Sequence, residues 1–413
     1  MQLVYSLTIH LYGLAVRLVA FFGNSKAKLW IAGRKNWRNQ LAALTEQKHR
    51  WVWFHCASLG EFEQGRPLIE KYKQLHPELK ILLTFFSPSG YESKKNYNGA
   101  DAVMYLPLDT ARNAHQFVEM LQPEKVFFIK YEFWFNFLIE LNERKILVYL
   151  ISTIFRENQW FFRFGAASFL KQLQLVTHFF VQDEHSANIL KSKGIYQVTV
   201  SGDTRFDRVI SISKNHFSFE AIEYWIKDAF VIVAGSTWEQ DEEILLEYIK
   251  KDTTGLKLIL VPHEVDYNHI DKLKGKLSRK KLLHHAQFLS ASENQLDQQS
   301  NVLIIDRMGL LSGLYRFANI TYIGGGFGAG IHNTLEAAVY GKPVLFGPNY
   351  QKFNEAKALI KEGAAKSFKN QEEFEMIMQD LSLNKHHLEQ TGQAAKKYVL
   401  DHAGATDAIL KNL

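Results

Sequence analysis

An α/β fold with two facing Rossmann-like domains, preceded by an N-terminal apolar membrane-associated helix, is what this sequence predicts. Three observations carry that prediction. From residue 51 onward, short apolar runs alternate with helical patterns, the signature of βαβ units and parallel sheets. The alternation stops over residues 206–228 and restarts at Phe230, so the strands fall into two successive sets. The runs end in Ser, Thr, Gly and acids, which is what a ligand crevice at one sheet edge requires.

A chain of 413 residues is long enough for two domains, each with its own core. Hydrophobic residues at 46% and charged ones at 22% exclude a disordered chain. A net charge of +6 is compatible with nucleic acid, an anionic membrane or phosphorylated substrates, and selects none of them. Cys56 is the one cysteine, which excludes an internal disulfide and a Cys-based metal site and fits a reducing compartment. His10 and the pair His284-His285 stand in no metal-ligand spacing, so no structural metal is expected.

Residues 1–22, MQLVYSLTIHLYGLAVRLVAFF, form the most apolar window, interrupted by Ser6, Thr8, His10 and Arg17. Lys26, Lys28, Arg34, Lys35 and Arg38 follow at once, the arrangement that an anionic cytoplasmic leaflet attracts. There is no basic start or small-residue cleavage site of the kind a signal peptide carries. The segment reads as a helix seated in a membrane, spanning it or lying in its interface, with the rest of the chain on the cytoplasmic side. A helix packed on the following domain is the other reading.

The stretch WVWFHCASLGEFEQGR, Trp51–Arg66, organises the first half. Its aromatic and valine run suits a buried strand, Ser58-Leu59-Gly60 breaks it, and Glu61–Lys73 has helical spacing. Glu61 therefore stands at a helix start on the carboxyl edge of a sheet. There it is either a first-turn acid favoured by the helix dipole or a general base aimed into a crevice. Position alone leaves both open. Lys80–Phe86 is the next strand and ends in Ser87-Pro88-Ser89-Gly90; Ala102–Leu106 follows, then a helix through Leu121. Lys125–Ile129 runs into Lys130-Tyr131-Glu132-Phe133-Trp134, and Leu147–Ile151, Phe179–Gln182 and Thr199–Gly202 complete the set.

In the second half, Phe230–Gly235 leads to Ser236-Thr237 and to a helix opened by Glu239, Asp241, Glu242 and Glu243. Lys257–Pro262 ends at His263-Glu264; residues 278–301 read as a loop with a marginal helix or strand. Asn301–Ile305, Ile320–Ile323 and Lys342–Phe346 are further strands. IGGGFGAGIHNTLE, Ile323–Glu336, follows a strand and opens a helix, and its glycines allow close approach of backbone to a phosphate. Its spacing is not the dinucleotide fingerprint, and no acid sits at the ribose distance, which argues against an NAD enzyme. Glu336 can accept ribose hydroxyls, or it can complete a capping box with Asn333, or both.

Taken in order, HCASLGE, FFSPSGYE, YLPLDT, KYEFWFN, SGDTRFD, VAGSTWEQDEE and GGGFGAGIHNTLEAAVYGKPVLFGPNYQKFNEA resemble the Kdo transferases, which move 3-deoxy-D-manno-octulosonic acid from CMP-Kdo to lipid A precursor. The similarity runs from the start of the chain into its last quarter. It implies a GT-B glycosyltransferase, metal-independent and inverting, with no cofactor beyond the CMP-Kdo donor substrate. It also implies lipid A precursor and inner-membrane lipids as partners, no nucleic acid, and the cytoplasmic face of the inner membrane. The family's catalytic acid falls on Glu61.

Ser236, Thr237 and Gly325, Gly326, His332, Asn333, Thr334 and Glu336 match the nucleotide-side motifs, and Met308-Gly309 matches a turn beside the base. His263 stands where the family often carries an arginine-bearing turn. On the acceptor and Kdo-carboxylate side the resemblance points to Ser58, Gly60, Arg66, Ser87, Ser89, Lys130, Glu132 and Arg205. The expected division is a helix and basic segment at 1–40, an acceptor domain at 41–210, a donor domain at 211–395, and a return helix at 396–413. A transferase using a UDP-sugar is the nearest alternative; a non-catalytic membrane-associated nucleotide-binding protein is a more distant one.

Overall fold

Six consecutive wholly buried residues, Trp51–Cys56, form strand β1, and burial on both faces is the reason the run is apolar throughout. The computed structural model describes residues 2–159, 162, 167–215, 218–282, 285–291 and 296–413. His284 lies outside them. The chain divides into one unit of residues 1–208 and 403–413 and another of residues 209–402.

In the first unit β1 is joined by β2 (Lys80–Phe85), β3 (Ala102–Tyr105), β4 (Lys125–Ile129), β5 (Leu147–Thr153), β6 (His178–Val181) and β7 (Val198–Val200). The order is β3-β2-β1-β4-β5-β6-β7, and every pairing is parallel. Strand order reverses between β1 and β4, so the crevice beyond their carboxyl ends is a topological switch point. The pairing of His55 with Phe128 sets the Ala57–Glu61 turn beside the Lys130–Trp134 turn.

The helix Gln2–Phe21 touches this unit along one stripe: Tyr5, Ser6, Ile9, Gly13, Val16 and Ala20 are sheltered, while Val4, Leu7, Leu11, Leu14 and Leu18 are exposed. Tyr5 donates to Asp109 Oδ2 at 2.5 Å, and the same wholly buried carboxylate accepts the amides of Asn136 and Phe137 at the start of the helix Phe135–Glu143. The helix thus packs on the unit along one stripe and leaves a broad apolar face bare. The basic segment is less available than its sequence implies. Arg34 donates to the carbonyls of Trp30, Phe86 and Leu106, and Arg38 to Asn113 and Gln116. Lys26, Lys28 and Lys35 remain exposed.

The second unit repeats the plan with β8 (Val231–Thr237), β9 (Lys257–Pro262), β10 (Ala286–Phe288), β11 (Val302–Ile304), β12 (Ile320–Ile323), β13 (Val344–Phe346) and β14 (Ala365–Ser367). Its order, β10-β11-β9-β8-β12-β13-β14, is again parallel throughout, with the switch between β8 and β12. The two Rossmann-like sheets are those the alternation predicts. The crossing region is helical, with Thr204–Ser213 and Glu220–Ile226. Residues 396–401 finish the helix Lys385–Asp401 of the second unit, and the chain returns only from Ala403. Asp207 then receives the amides of Gly404 and Thr406 at 2.6 and 2.7 Å.

Candidate functional site

The β1 switch point gathers carboxylates. Glu61 lies in the first turn of the helix Leu59–Leu75, and its Oε2 accepts the Ser58 amide at 2.9 Å, the carboxylate half of a capping box, and the Ser58 hydroxyl at 3.4 Å. Both contacts fall on one oxygen, so Oε1 retains acceptor capacity. The side chain is half-buried. Burial first, and the neighbouring Glu132 second, push its pKa up to about 7; the amides of Ser58 and Ala57 and the charge of Lys130 pull the other way. A carboxyl group poised near neutrality suits a general base.

Glu132 is buried and accepts the Trp134 indole N–H at 2.6 Å, with His55 Nε2 at 3.2 Å. His55, wholly buried on β1, meets Thr84 through Nδ1 at 2.8 Å, and Trp53 donates to the same hydroxyl at 2.7 Å. A polar chain thus runs from the interior of the sheet to the crevice. Lys130 adopts φ +66° immediately after β4, and Ser152 and Ser236 adopt +54° and +53° at the ends of β5 and β8. Left-handed backbone at non-glycine residues is uncommon, and it clusters at functional edges.

Other residues expected on this side are not all at the crevice. Ser58 caps the Glu61 helix and Gly60 is exposed beside it. Ser87 and Ser89 share a 2.8 Å hydrogen bond at the start of the helix Pro88–Lys94. Arg66 instead pairs with Glu70 at 2.7 Å and lies over Tyr97, lining a separate surface hollow. Arg205 engages Asp203 through its side chain at 2.7 Å and through its amide at 2.9 Å.

At the second switch point, the pairing of Gly235 with Ile323 sets Ser236-Thr237 beside the glycine turn. Asp241, wholly buried, ties the two together. It accepts the Tyr322 hydroxyl at 2.6 Å, the Gly325 amide at 2.8 Å and the Trp238 amide at 2.9 Å. Not every glycine faces a ligand. A Cβ on Gly324 would lie 2.2 Å from the Ser236 carbonyl, and one on Gly326 would lie 2.6 Å from Gly347 Cα. These two permit backbone packing, whereas Gly325, Gly328 and Gly330 line a cleft of about 740 Å³ with Trp238, Lys272 and His332. Lys272 is paired to Glu239 at 2.8 Å, and the glycine amides hold the turn itself: Gly325 donates to Asp241, and Gly328 and Gly330 to the Gly325 carbonyl.

Trp238 Nε1 lies 3.1 Å from His332 Nε2. An indole N–H only donates, so His332 is the neutral tautomer with its proton on Nδ1. Burial first, and His263 second, agree by pushing its pKa down to about 4. The His263 ring stacks on both of these rings, with centroids 4.8 Å from Trp238 and 4.3 Å from His332.

The remaining donor-side residues lie off this cleft. Asn333 accepts the Leu335 amide at 3.1 Å and donates to Glu336 at 2.9 Å. Thr237 and Thr334 are wholly buried, with hydroxyls lacking a hydrogen-bond partner among the described residues. Met308 is exposed, and Gly309 turns the chain at φ +87°. The helix after the turn, Leu335–Ala338, is one turn long, so its dipole adds little and individual N–H groups matter more.

Comparison with known proteins decides the family. The 3-deoxy-D-manno-octulosonic-acid transferase (kdotransferase) family matches residues 35–208, which include Glu61 and Glu132. A 3-deoxy-D-manno-octulosonic acid transferase of Aquifex aeolicus is 31% identical over 330 residues, covering 78% of this chain and 83% of that protein. The chain belongs to the Kdo transferase family. It is a glycosyltransferase. A bifunctional glycosyltransferase/methyltransferase of Fusobacterium nucleatum is 27% identical over 87% of this chain, and the chain spans 56% of that longer protein. Among solved structures, a UDP-GlcNAc 2-epimerase of Neisseria meningitidis shares the fold with a TM-score of 0.59 at 18% identity, over 88% of this chain and all of that one.

Two participants escaped the sequence reading of this Kdo transferase family member. His55 was visible as the one basic group inside an apolar strand. Asp241 was visible as the acid three residues after Trp238, the spacing of an N-terminal cap.

Proposed function

We propose that the protein transfers Kdo from CMP-Kdo to a lipid A precursor with inversion and without a metal, at the cytoplasmic face of the inner membrane. The observation that carries this reading is a carboxyl group with its pKa near 7, Glu61, at the switch point of the family-matched unit. Glu61 takes the proton of an acceptor hydroxyl as its oxygen attacks the anomeric carbon on the face opposite CMP. CMP departs as a phosphate monoester, whose developing charge calls for fixed donors, and the second unit offers the Nδ1–H of His332 as one. Lys130, whose charge acts on the Glu61 carboxyl group, is the cation assigned to the Kdo carboxylate in this reading.

Incubation with CMP-Kdo generated in situ and lipid IVA, followed by mass spectrometry of the lipid, tests the reading. A product heavier by one or more Kdo units supports it. No CMP release, together with turnover of a UDP-sugar, would replace it with the alternative donor.

The bare face of the first helix supports membrane seating. Replacing Leu7, Leu11, Leu14 and Leu18 with Gln removes exposed apolar surface and leaves the packed stripe intact. Most of the protein is then expected to move to the soluble fraction, with turnover of detergent-dispersed acceptor retained. Unchanged sedimentation with membranes would remove the helix from that role.

A further inference from the structure

The first unit contains a cavity of about 490 Å³ that the chemistry above does not use. That volume lies within the roughly 300–1,000 Å³ of small-molecule sites. Phe86, beyond the end of β2, and Phe133, Trp134 and Phe135, beyond the end of β4, supply aromatic walls; Tyr5 and Ile9 of the first helix supply another. The four aromatic residues after β2 and β4 are only half-buried, whereas Trp53, Phe54, Phe127 and Phe128 of the same sheet are wholly buried. Among the described residues Glu132 is the only charged group in the lining.

The helical wall is anchored. Tyr5 is held by Asp109, and its ring lies 4.6 Å from that of Phe135. The Ser6 hydroxyl donates to Asn136, and a Cβ on Gly13 would lie 2.9 Å from the Leu108 side chain, so the helix sits close to the domain there. Apolar surface kept open by such fixed contacts is a shaped site, not slack packing.

Three features identify the occupant. The lining offers mainly aromatic surface, with no basic side chain among the described residues, which disfavours a phosphate. The helix that closes one side presents Leu7, Leu11, Leu14 and Leu18 as a bare apolar surface, the face that the membrane reading seats in lipid. Ala57 also lines the cavity, and its amide and the Glu132 charge both act on the Glu61 carboxylate. A molecule filling the cavity with an apolar chain would therefore carry its head group to the proton acceptor. We propose that this cavity holds one acyl chain of the glycolipid acceptor and sets the register of its sugar hydroxyl at Glu61. The inference rests on the transfer reading given above.

The test compares two acceptors with the full-length enzyme in detergent: acylated lipid A precursor and its fully deacylated, water-soluble disaccharide. Ile9→Trp fills the cavity. It is expected to lower the kcat/KM preference for the acylated acceptor at least tenfold, through KM for that acceptor. Ile9→Ala widens the cavity and is expected to move the preferred acyl length upward, which keeps the proposal testable if the tryptophan dislodges the helix. A preference unmoved in both variants overturns the cavity role, as it would if an ordinary bilayer lipid occupied the space. Equal losses on both acceptors overturn it as well, because they mark a packing wall. Wild-type enzyme inactive on both acceptors would instead reject the transfer reading itself.

Discussion

Glu61→Gln is expected to keep the fold and nucleotide binding while lowering Kdo transfer by about 10²–10⁴-fold, the usual worth of a general base. The amide oxygen of Gln can still accept from the Ser58 amide, so the cap survives and only the basicity is removed. In the unmodified enzyme Glu61 must be ionised to act. With its pKa raised to about 7, kcat/KM should rise with pH up to about 7 and fall about tenfold per unit below it. Glu132→Gln removes the like charge, which lowers the Glu61 pKa and moves that acidic limb to lower pH. Linkage gives the opposite sign for stability. The folded state holds the Glu61 proton more tightly than the unfolded chain does. That contribution is present in acid and is lost as pH rises from the ordinary carboxylate range through about 7. Transfer by Glu61→Gln at near-normal rates, or a wild-type profile flat from pH 5 to 8, would move the base elsewhere.

How far the sequence leads is clearest at this site. WVWFHCASLGE specifies a buried strand, a small-residue turn and a helix, which suffices to put Glu61 on a sheet edge. It does not reveal that Glu132, 71 positions later, becomes its neighbour, because that follows from β4 pairing with β1 at a strand-order reversal. Cations were the least legible residues. Arg66 and Arg205 are absorbed by local acids, and Arg34 by carbonyls, partnerships that charge counting cannot reveal. Glycines divide by role: Gly325 lines the cleft, while Gly324 and Gly326 serve contacts to Ser236 and Gly347 on other segments, a distinction their spacing does not carry. The edge strands β10 and β14 are three residues each, too short for periodicity to signal, so residues 278–301 read mostly as loop although they hold β10, and β14 is not read at all.

Asp241→Ala is the second substitution with a large expected effect, and here the loss is structural before it is chemical. Removing the carboxylate strands the amides of Trp238 and Gly325 and the Tyr322 hydroxyl, all donors to one wholly buried group. At about 1–3 kcal/mol for each buried donor left unpaired, the cost is about 3 kcal/mol or more. That corresponds to a fall in Tm of roughly 6–12 °C for a unit of this size. Because Asp241 is the strut between the β8 turn and the glycine turn, CMP affinity should fall with it, although Asp241 need not touch the nucleotide. Asp241→Asn preserves the shape and keeps an oxygen acceptor, but turns an NH₂ toward one of the former donors. Its Tm and CMP affinity should therefore fall between those of wild type and Ala. Thermal melts and calorimetric titration with CMP on the three proteins would measure this. If the alanine variant kept both Tm and affinity, the turn would be held by its glycine packing alone, and the buried carboxylate would have no part in shaping the donor side.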